Sequence, residues 1–341
     1  MPAARRPAPP EVMLDLIFGY AISQLIYTAA KLGIADLLAE RPMTAAAIAK
    51  KVGADPSHLY RALRALASVG VFAEDAKGRF KLTPLAATLR SDHPASMKDF
   101  ALMQTDDYIW NAWGALSETV VKGGIAFDRV YNMPVFAYIA AHPDKERAFA
   151  AAMASVSSAQ TAAVAKAIPV KDIKHLVDIG GAHGHLLSAV LRRHKKLKGT
   201  LFDAPPVVAE APHSGFVSAP DIEPRCDLAA GDFFESVPKG ADGYLMKYII
   251  HDWDDEKCVK ILSNCRKAMT KDGRVFIVDY VLPKGNGKHF GKLMDINMMC
   301  CPGGRERTKD EFAALLKRAR LKLKRVIPTE CPLSIVEAVR A

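Results

Sequence analysis

From Ile173 onward the chain alternates short apolar runs with helix-spaced segments, and this alternation constrains the fold more than any other feature of its 341 residues. Leu176-Val177-Asp178-Ile179 has the length of a buried strand, and Leu186, Leu187, Val190 and Leu191 mark the buried face of a following helix. Leu201-Phe202, Tyr244-Leu245-Met246 and Val275-Phe276-Ile277-Val278 give further strands. Between the last two, Val259, Ile261, Leu262, Cys265 and Met269 recur at helical spacing. The expected fold class is α/β, a doubly wound, largely parallel sheet that binds its ligand at the carboxyl ends of the strands.

The first strand runs into Gly180-Gly181-Ala182-His183-Gly184, where the backbone must turn tightly and approach a ligand. Asp203 closes the next strand, and a carboxylate there can accept both hydrogen bonds of a ribose diol. The loop is not G-x-G-x-x-G, which argues against a nicotinamide dehydrogenase, because a dinucleotide needs its pyrophosphate cradled at the helix start. S-adenosylmethionine has no phosphate and needs close approach plus ribose and adenine contacts. In Gly231-Asp232-Phe233-Phe234, Asp232 can bond an adenine and Phe233 cover it, or the segment is a turn with a capping Asp and core phenylalanines.

The first half reads as helices. Thr44 caps a helix through Lys50, and Asp55-Pro56 begins another whose buried face is Leu59, Leu63, Leu66 and Val69, ended by Gly70. Val71-Phe72-Ala73 and Arg79-Phe80-Lys81-Leu82 around Gly78 form a hairpin, completing a winged helix. His58, Arg61 and Arg64 raise a DNA-binding regulator as a rival function, against a winged helix kept as a packing module. The +10 charge fits the second view, since Lys and Arg are scattered along helices rather than gathered in blocks. Helical patterns continue from Met97 to Ile168, so the expected domains are a disordered tail over 1–10, a helical winged-helix and lid region over 11–168, and the α/β domain over 169–341.

Composition supports a globular, cytoplasmic chain: 50% hydrophobic, 25% charged, and no uncharged apolar run long enough to span a membrane. The six cysteines form no C-x-x-C pair and no zinc-spaced set, so no metal is expected. Nucleic acid and membrane are not expected partners.

Lys247-Tyr248-Ile249-Ile250-His251-Asp252-Trp253 leaves a strand and enters a helix whose first turn is Asp254-Asp255-Glu256, leaving His251 over the ligand crevice. "LVDIGGAHG", "LFDAP", "GDFFESVP", "LMKYIIHDWDDEKCVKILSNC" and "GGRERT", in this order, resemble the small-molecule O-methyltransferases typified by caffeic acid and hydroxyindole O-methyltransferases. The resemblance implies a Rossmann-like class I methyltransferase domain behind a mainly helical winged-helix dimerisation domain. It implies S-adenosylmethionine held by Asp178, Gly180, Gly181, Asp203, Asp232, Phe233, Lys247, Asp252 and Trp253, with His251 as general base flanked by Asp279 and Glu306. It also places Met103, Gln104, Trp113, Phe149, Met153 and Met298 in the acceptor pocket, and implies a homodimer through the N-terminal helices. Leu14, Ile17, Phe18, Tyr20, Ile22, Leu25 and Ile26 make a first helix too apolar to stand exposed.

The chain departs from the family pattern at three places. Asp279 is one methylene shorter than the usual Glu; Ala182 replaces a common glycine and is tolerable at negative φ, while His183 stands beside the methionine tail; Cys300 and Cys301 lie near the acceptor positions. Arg305 has two candidate partners, Glu306 or an acidic acceptor. An ordinary phenol and imidazole differ by roughly 3.5 pKa units, so complete proton transfer before methylation costs about 5 kcal/mol, and the base is expected to act as the methyl arrives. S-methylation of a thiol or thioether remains the alternative, since it places less demand on a base.

Overall fold

The computed structural model describes residues 7–341, apart from the side chains of residues 158 and 159. Residues 1–6 of the expected tail lie outside this range, and Pro9 already opens a helix, Pro9–Ile17, in which proline suits the first turn. The described chain divides into two compact units that each take two stretches: residues 7–110 with 142–159, and 111–141 with 160–341. Helices that the sequence places before a boundary near 168 thus belong to both.

In the first unit the winged helix forms as its caps dictate. Thr44 accepts from the Ala47 amide ahead of helix Ala45–Val52, and Asp55 from the His58 amide ahead of Pro56–Ser68. Leu59, Leu63 and Leu66 are buried with Ile34, Ile48, Phe72 and Phe80, but Val69 is 47% exposed, because the helix ends at Ser68 before that position turns inward. Strands Met43–Thr44, Arg79–Leu82 and Phe72–Glu74 make a small antiparallel sheet. The expected single first helix is two, Pro9–Ile17 and Gly19–Lys31, broken at Phe18. Leu25 and Ile26 pack on this core, whereas Leu14, Ile17, Phe18 and Tyr20 stay exposed.

The second unit is built on a seven-stranded sheet of β1 (His175–Ile179), β2 (Lys198–Asp203), β3 (Cys226–Ala230), β4 (Gly243–Lys247), β5 (Arg274–Asp279), β6 (Leu321–Pro328) and β7 (Ser334–Arg340). Their order is β6-β7-β5-β4-β1-β2-β3; β5 through β3 run parallel, and β7 is antiparallel to both its neighbours. Apolar clusters cover both faces, which explains the near-continuous apolar runs of the central strands. The order reverses between β1 and β4, so the loops after these two strands face each other across the crevice where such sheets bind ligands.

Candidate active site

After β1, Gly180 adopts φ +64° and Gly181 lies against the sheet. A Cβ on Gly180 would come 2.4 Å from Ile249 Cδ1, and one on Gly181 would come 2.5 Å from Leu201 Cδ1 and 2.8 Å from the Asp178 carboxyl. The loop is therefore a cradle open only because side chains are missing. Ala182 does not have the negative φ that would suit an alanine: it sits at +49°, held by its amide donating to Asp203 Oδ2 at 2.8 Å. Asp203 Oδ1 accepts from the Ala204 amide at 2.7 Å, and each oxygen keeps a lone pair for a ribose hydroxyl. The His183 carbonyl accepts from Ser214 Oγ.

Asp178 is the penultimate residue of β1 and Lys247 the last of the adjacent β4. Burial pushes Asp178 up to about 7 and Lys247 down to about 8, and each group's charge opposes the other's shift. Asp232 Oδ1 accepts from the Phe234 amide, as in the capping reading, while Phe233 and Phe234 meet the Trp253 ring edge-on at 6.3 and 5.0 Å. The rings and the cradle match what an adenosyl group with a methionine tail requires.

His251 follows β4 in a single helical turn, Ile250–Asp252, and is 7% exposed. The next helix, Asp255–Ala268, starts one residue later than expected because Asp254 is its cap, accepting from the Lys257 amide. His251 Nδ1 lies 2.7 Å from Glu306 Oε1, and Nε2 lies 3.4 Å from Asp252 Oδ1. Asp279 makes no hydrogen bond to the ring, although its charge acts on it. Its shorter side chain leaves Oδ1 accepting from the Tyr248 amide at 3.0 Å, and Oδ2 without a hydrogen-bond partner. Burial pushes Asp279 up to about 7; burial, then Asp295, pushes Glu306 up to about 8. Asp252, whose side chain keeps 21% exposure, is also raised by burial.

Residues outside the sequence reading hold this geometry. Tyr248, at φ +58°, stacks on His251 with ring centres 5.0 Å apart, and its hydroxyl donates to Gln160 Oε1 at 2.8 Å. Arg307 is buried and donates to the carbonyls of Ile250 and Trp253 and to Asp255. The Glu306 amide donates to Asp295 Oδ1, the Arg305 amide to the His251 carbonyl, and a Cβ on Gly304 would come 1.9 Å from that carbonyl. For Gly304 through Arg307 the signal was present in "GGRERT", which carries a charge at three successive positions after two glycines. The Arg305 guanidinium pairs with Glu311 at 2.7 Å rather than with Glu306.

Of the expected acceptor residues, Met103, Gln104, Phe149 and Met153 belong to the first unit and Trp113 and Met298 to the second. Trp113 Nε1 donates to Asn297 Oδ1 at 3.2 Å, and Met298 is buried. Cys300 and Cys301 are buried, and burial pushes their thiols up to about 11 and about 12, so both stay protonated. Among the described residues no group of three His, Cys, Asp or Glu could hold a metal, and no single helix is long and apolar enough to cross a membrane.

A sheet parallel except for β7, which runs antiparallel between β5 and β6, with a glycine cradle after β1 and a buried histidine–carboxylate pair after β4, defines a class I methyltransferase that uses S-adenosylmethionine. The chain belongs to the O-methyltransferase family: residues 113–322 match its O-methyltransferase domain and residues 14–92 its dimerisation domain. It is 42% identical to the phenazine O-methyltransferase PhzM of Lysobacter antibioticus, over 96% of this chain and 95% of that one. It is 36% identical to the mitomycin biosynthesis 6-O-methyltransferase of Streptomyces lavendulae, over 99% and 97%. The solved structure of CalO1, a methyltransferase in calicheamicin biosynthesis with S-adenosylhomocysteine bound, superposes with a TM-score of 0.88 at 35% identity, covering 98% of this chain and all of that one.

Proposed function

We propose that this enzyme transfers the methyl group of S-adenosylmethionine to a phenolic hydroxyl of a small aromatic acceptor, with His251 as general base. The observation that carries the reading is the buried His251–Glu306 contact of 2.7 Å after β4. Asp178, Gly180, Gly181, Asp203, Asp232, Phe233, Lys247, Asp252 and Trp253 would hold the donor. When bound, the donor supplies an activated methyl on a cationic sulfur. Glu306 accepts from Nδ1–H, which fixes the tautomer and leaves Nε2 to take the acceptor's proton. Tyr248 and Arg307 hold the ring and its loop in place. Methylation at sulfur would need no buried carboxylate behind an imidazole, so the pair favours an oxygen acceptor. The relatives named for phenazine and mitomycin substrates support a fused aromatic or quinonoid acceptor.

His251→Gln is expected to bind S-adenosylhomocysteine like the wild type while losing at least about 100-fold in kcat with phenolic acceptors. Undiminished turnover would refute the base assignment. We also infer a homodimer built on the exposed apolar residues Leu14, Ile17, Phe18 and Tyr20 of the dimerisation domain. Sedimentation should show a dimer that Ile17→Asp with Phe18→Asp converts to monomer; a monomeric wild type would remove this inference.

A further inference from the structure

The carboxyl groups around His251 stand in three different relations to it. Glu306 bonds Nδ1, Asp252 approaches Nε2, and Asp279 accepts from the Tyr248 amide and acts on the ring through its charge. Asp279 and Glu306 are 0% and 1% exposed, and each has one oxygen, Oδ2 and Oε2, with no hydrogen-bond partner. Burying an ionised carboxylate without donors or a counter-charge is costly, so this arrangement calls for a cation or a proton. The neighbouring cations only partly answer this: the Arg307 charge favours both ionised carboxylates, but its guanidinium pairs with Asp255 at 2.6 Å, and Lys247 is set first against Asp178 and only weakly against Asp279; burial outweighs them. The other facing groups do not supply a charge, since Tyr248 and Tyr280 share hydroxyl contacts with each other and Asp295 is a further acid beside Glu306.

We propose that Asp279 and Glu306, with Asp252, are a charge reservoir matched to the donor: they hold a proton in its absence, release it when the sulfonium binds, and regain one through His251 as the methyl leaves. The proposal rests on His251 acting as the base. In the transfer the acceptor O–H and the S–CH3 bonds break and an O–CH3 bond forms. The S–C electron pair stays on sulfur, and the proton goes to His251 Nε2. The positive charge that leaves sulfur thereby reappears on the imidazolium facing these carboxylates, and the buried site keeps one net charge throughout, which a low-dielectric interior favours. Burial raises Asp279 to about 7 and Glu306 to about 8, in keeping with a proton held near neutrality when no cation is present. S-adenosylhomocysteine is uncharged at sulfur and otherwise identical in charge, so its exchange for S-adenosylmethionine is the step that expels the proton.

The test is calorimetric titration of the whole chain, without acceptor, using S-adenosylmethionine and S-adenosylhomocysteine in phosphate and in Tris, whose heats of ionisation differ. Near neutral pH the expected result is about half to one proton released per S-adenosylmethionine bound and about none per S-adenosylhomocysteine, with the ratio of their Kd values rising about tenfold in favour of the methyl donor between about pH 6 and about pH 8. Equal proton counts and a pH-independent ratio overturn the proposal. Asp279→Asn keeps an oxygen for the Tyr248 amide and is expected to bind S-adenosylhomocysteine normally with most of the proton release gone; undiminished release in that variant also overturns it. These readouts involve no turnover, so they separate from failure of the base assignment, which His251→Gln reports.

Discussion

The turn after β1 and the turn after β4 face the same crevice but are held open by different means. After β1 the backbone makes room by omission: Gly180 and Gly181 have no Cβ where Ile249, Leu201 and Asp178 would collide with one, and the polar anchors are backbone amides on Asp203. After β4 the room is filled with ionisable groups, His251 on Glu306, Asp252 beside it, Asp279 beneath Tyr248, and Arg307 tying the loop's carbonyls. The first turn is a shape and the second a charge arrangement. Substitutions in the first should therefore change donor affinity, and substitutions in the second should change the rate and its pH dependence.

The largest break in that comparison is Glu306→Gln. The amide can still touch Nδ1, but it neither holds the tautomer nor stabilises the imidazolium. A kcat loss of about 100- to 1000-fold is expected, with donor Kd changed less than about threefold. Steady-state kinetics together with S-adenosylhomocysteine titration checks both halves; a loss confined to donor affinity would erase the distinction between the two turns.

The pH dependence should belong to the second turn as well. Glu306 is raised to about 8, first by burial and then by Asp295. Below that pH the carboxyl keeps its proton and donates it to Nδ1, so the ring's own proton sits on Nε2 and blocks the base. Activity is therefore expected to be lost as pH falls through about 8 and regained as it rises, by about tenfold per unit in kcat/KM for the donor, which reports the free enzyme. If the carboxylates respond to the sulfonium, the kcat profile of the donor-bound enzyme should lie at lower pH. A flat wild-type profile between about pH 6 and about pH 9 would count against both assignments.

How far the sequence revealed this site follows from the range of the interactions. Strands β1, β4 and β5 were readable because full burial makes them continuous apolar runs, and the winged helix because Thr44 and Asp55 act on amides three residues away. The break at Phe18 and the exposure of Val69 were not, since an apolar residue carries no local mark of which surface it meets. The glycine cradle was legible as spacing, but the positive φ of Ala182 depends on its bond to Asp203, 21 residues on. The contact of His251 with Glu306 spans 55 residues and came from family resemblance rather than from pattern. That same resemblance put Asp279 beside the ring but could not say that its shorter side chain accepts from the Tyr248 amide, while Tyr248 and Gln160, 88 residues apart, offered no pattern at all.

Within the first turn, Gly181→Ala should isolate shape from chemistry. Its Cβ would come 2.5 Å from Leu201 Cδ1 and 2.8 Å from the Asp178 carboxyl, so these side chains or the loop must shift. Donor affinity is expected to fall by about tenfold, or about 1.4 kcal/mol, with kcat at saturating donor within about twofold of the wild type. A variant with normal donor Kd and depressed kcat would show that the cradle orients the reaction instead of merely admitting the donor.

The smallest effect sharpens the comparison from the other side. Ala182 holds φ +49°, a conformation that costs an alanine about 1 kcal/mol relative to glycine, and glycine gives part of this back through the greater freedom of its unfolded chain. Ala182→Gly leaves the amide that donates to Asp203 in place and removes a methyl group that is exposed, so neither the cradle nor any packing is lost. Urea unfolding is expected to show a gain of about 0.5 kcal/mol, with donor Kd and kcat unchanged. If stability is unchanged and donor affinity improves instead, the strain at Ala182 is resolved in the free enzyme and reimposed when the donor binds. The first turn would then respond to its ligand by changing conformation, as the second is proposed to do by changing charge.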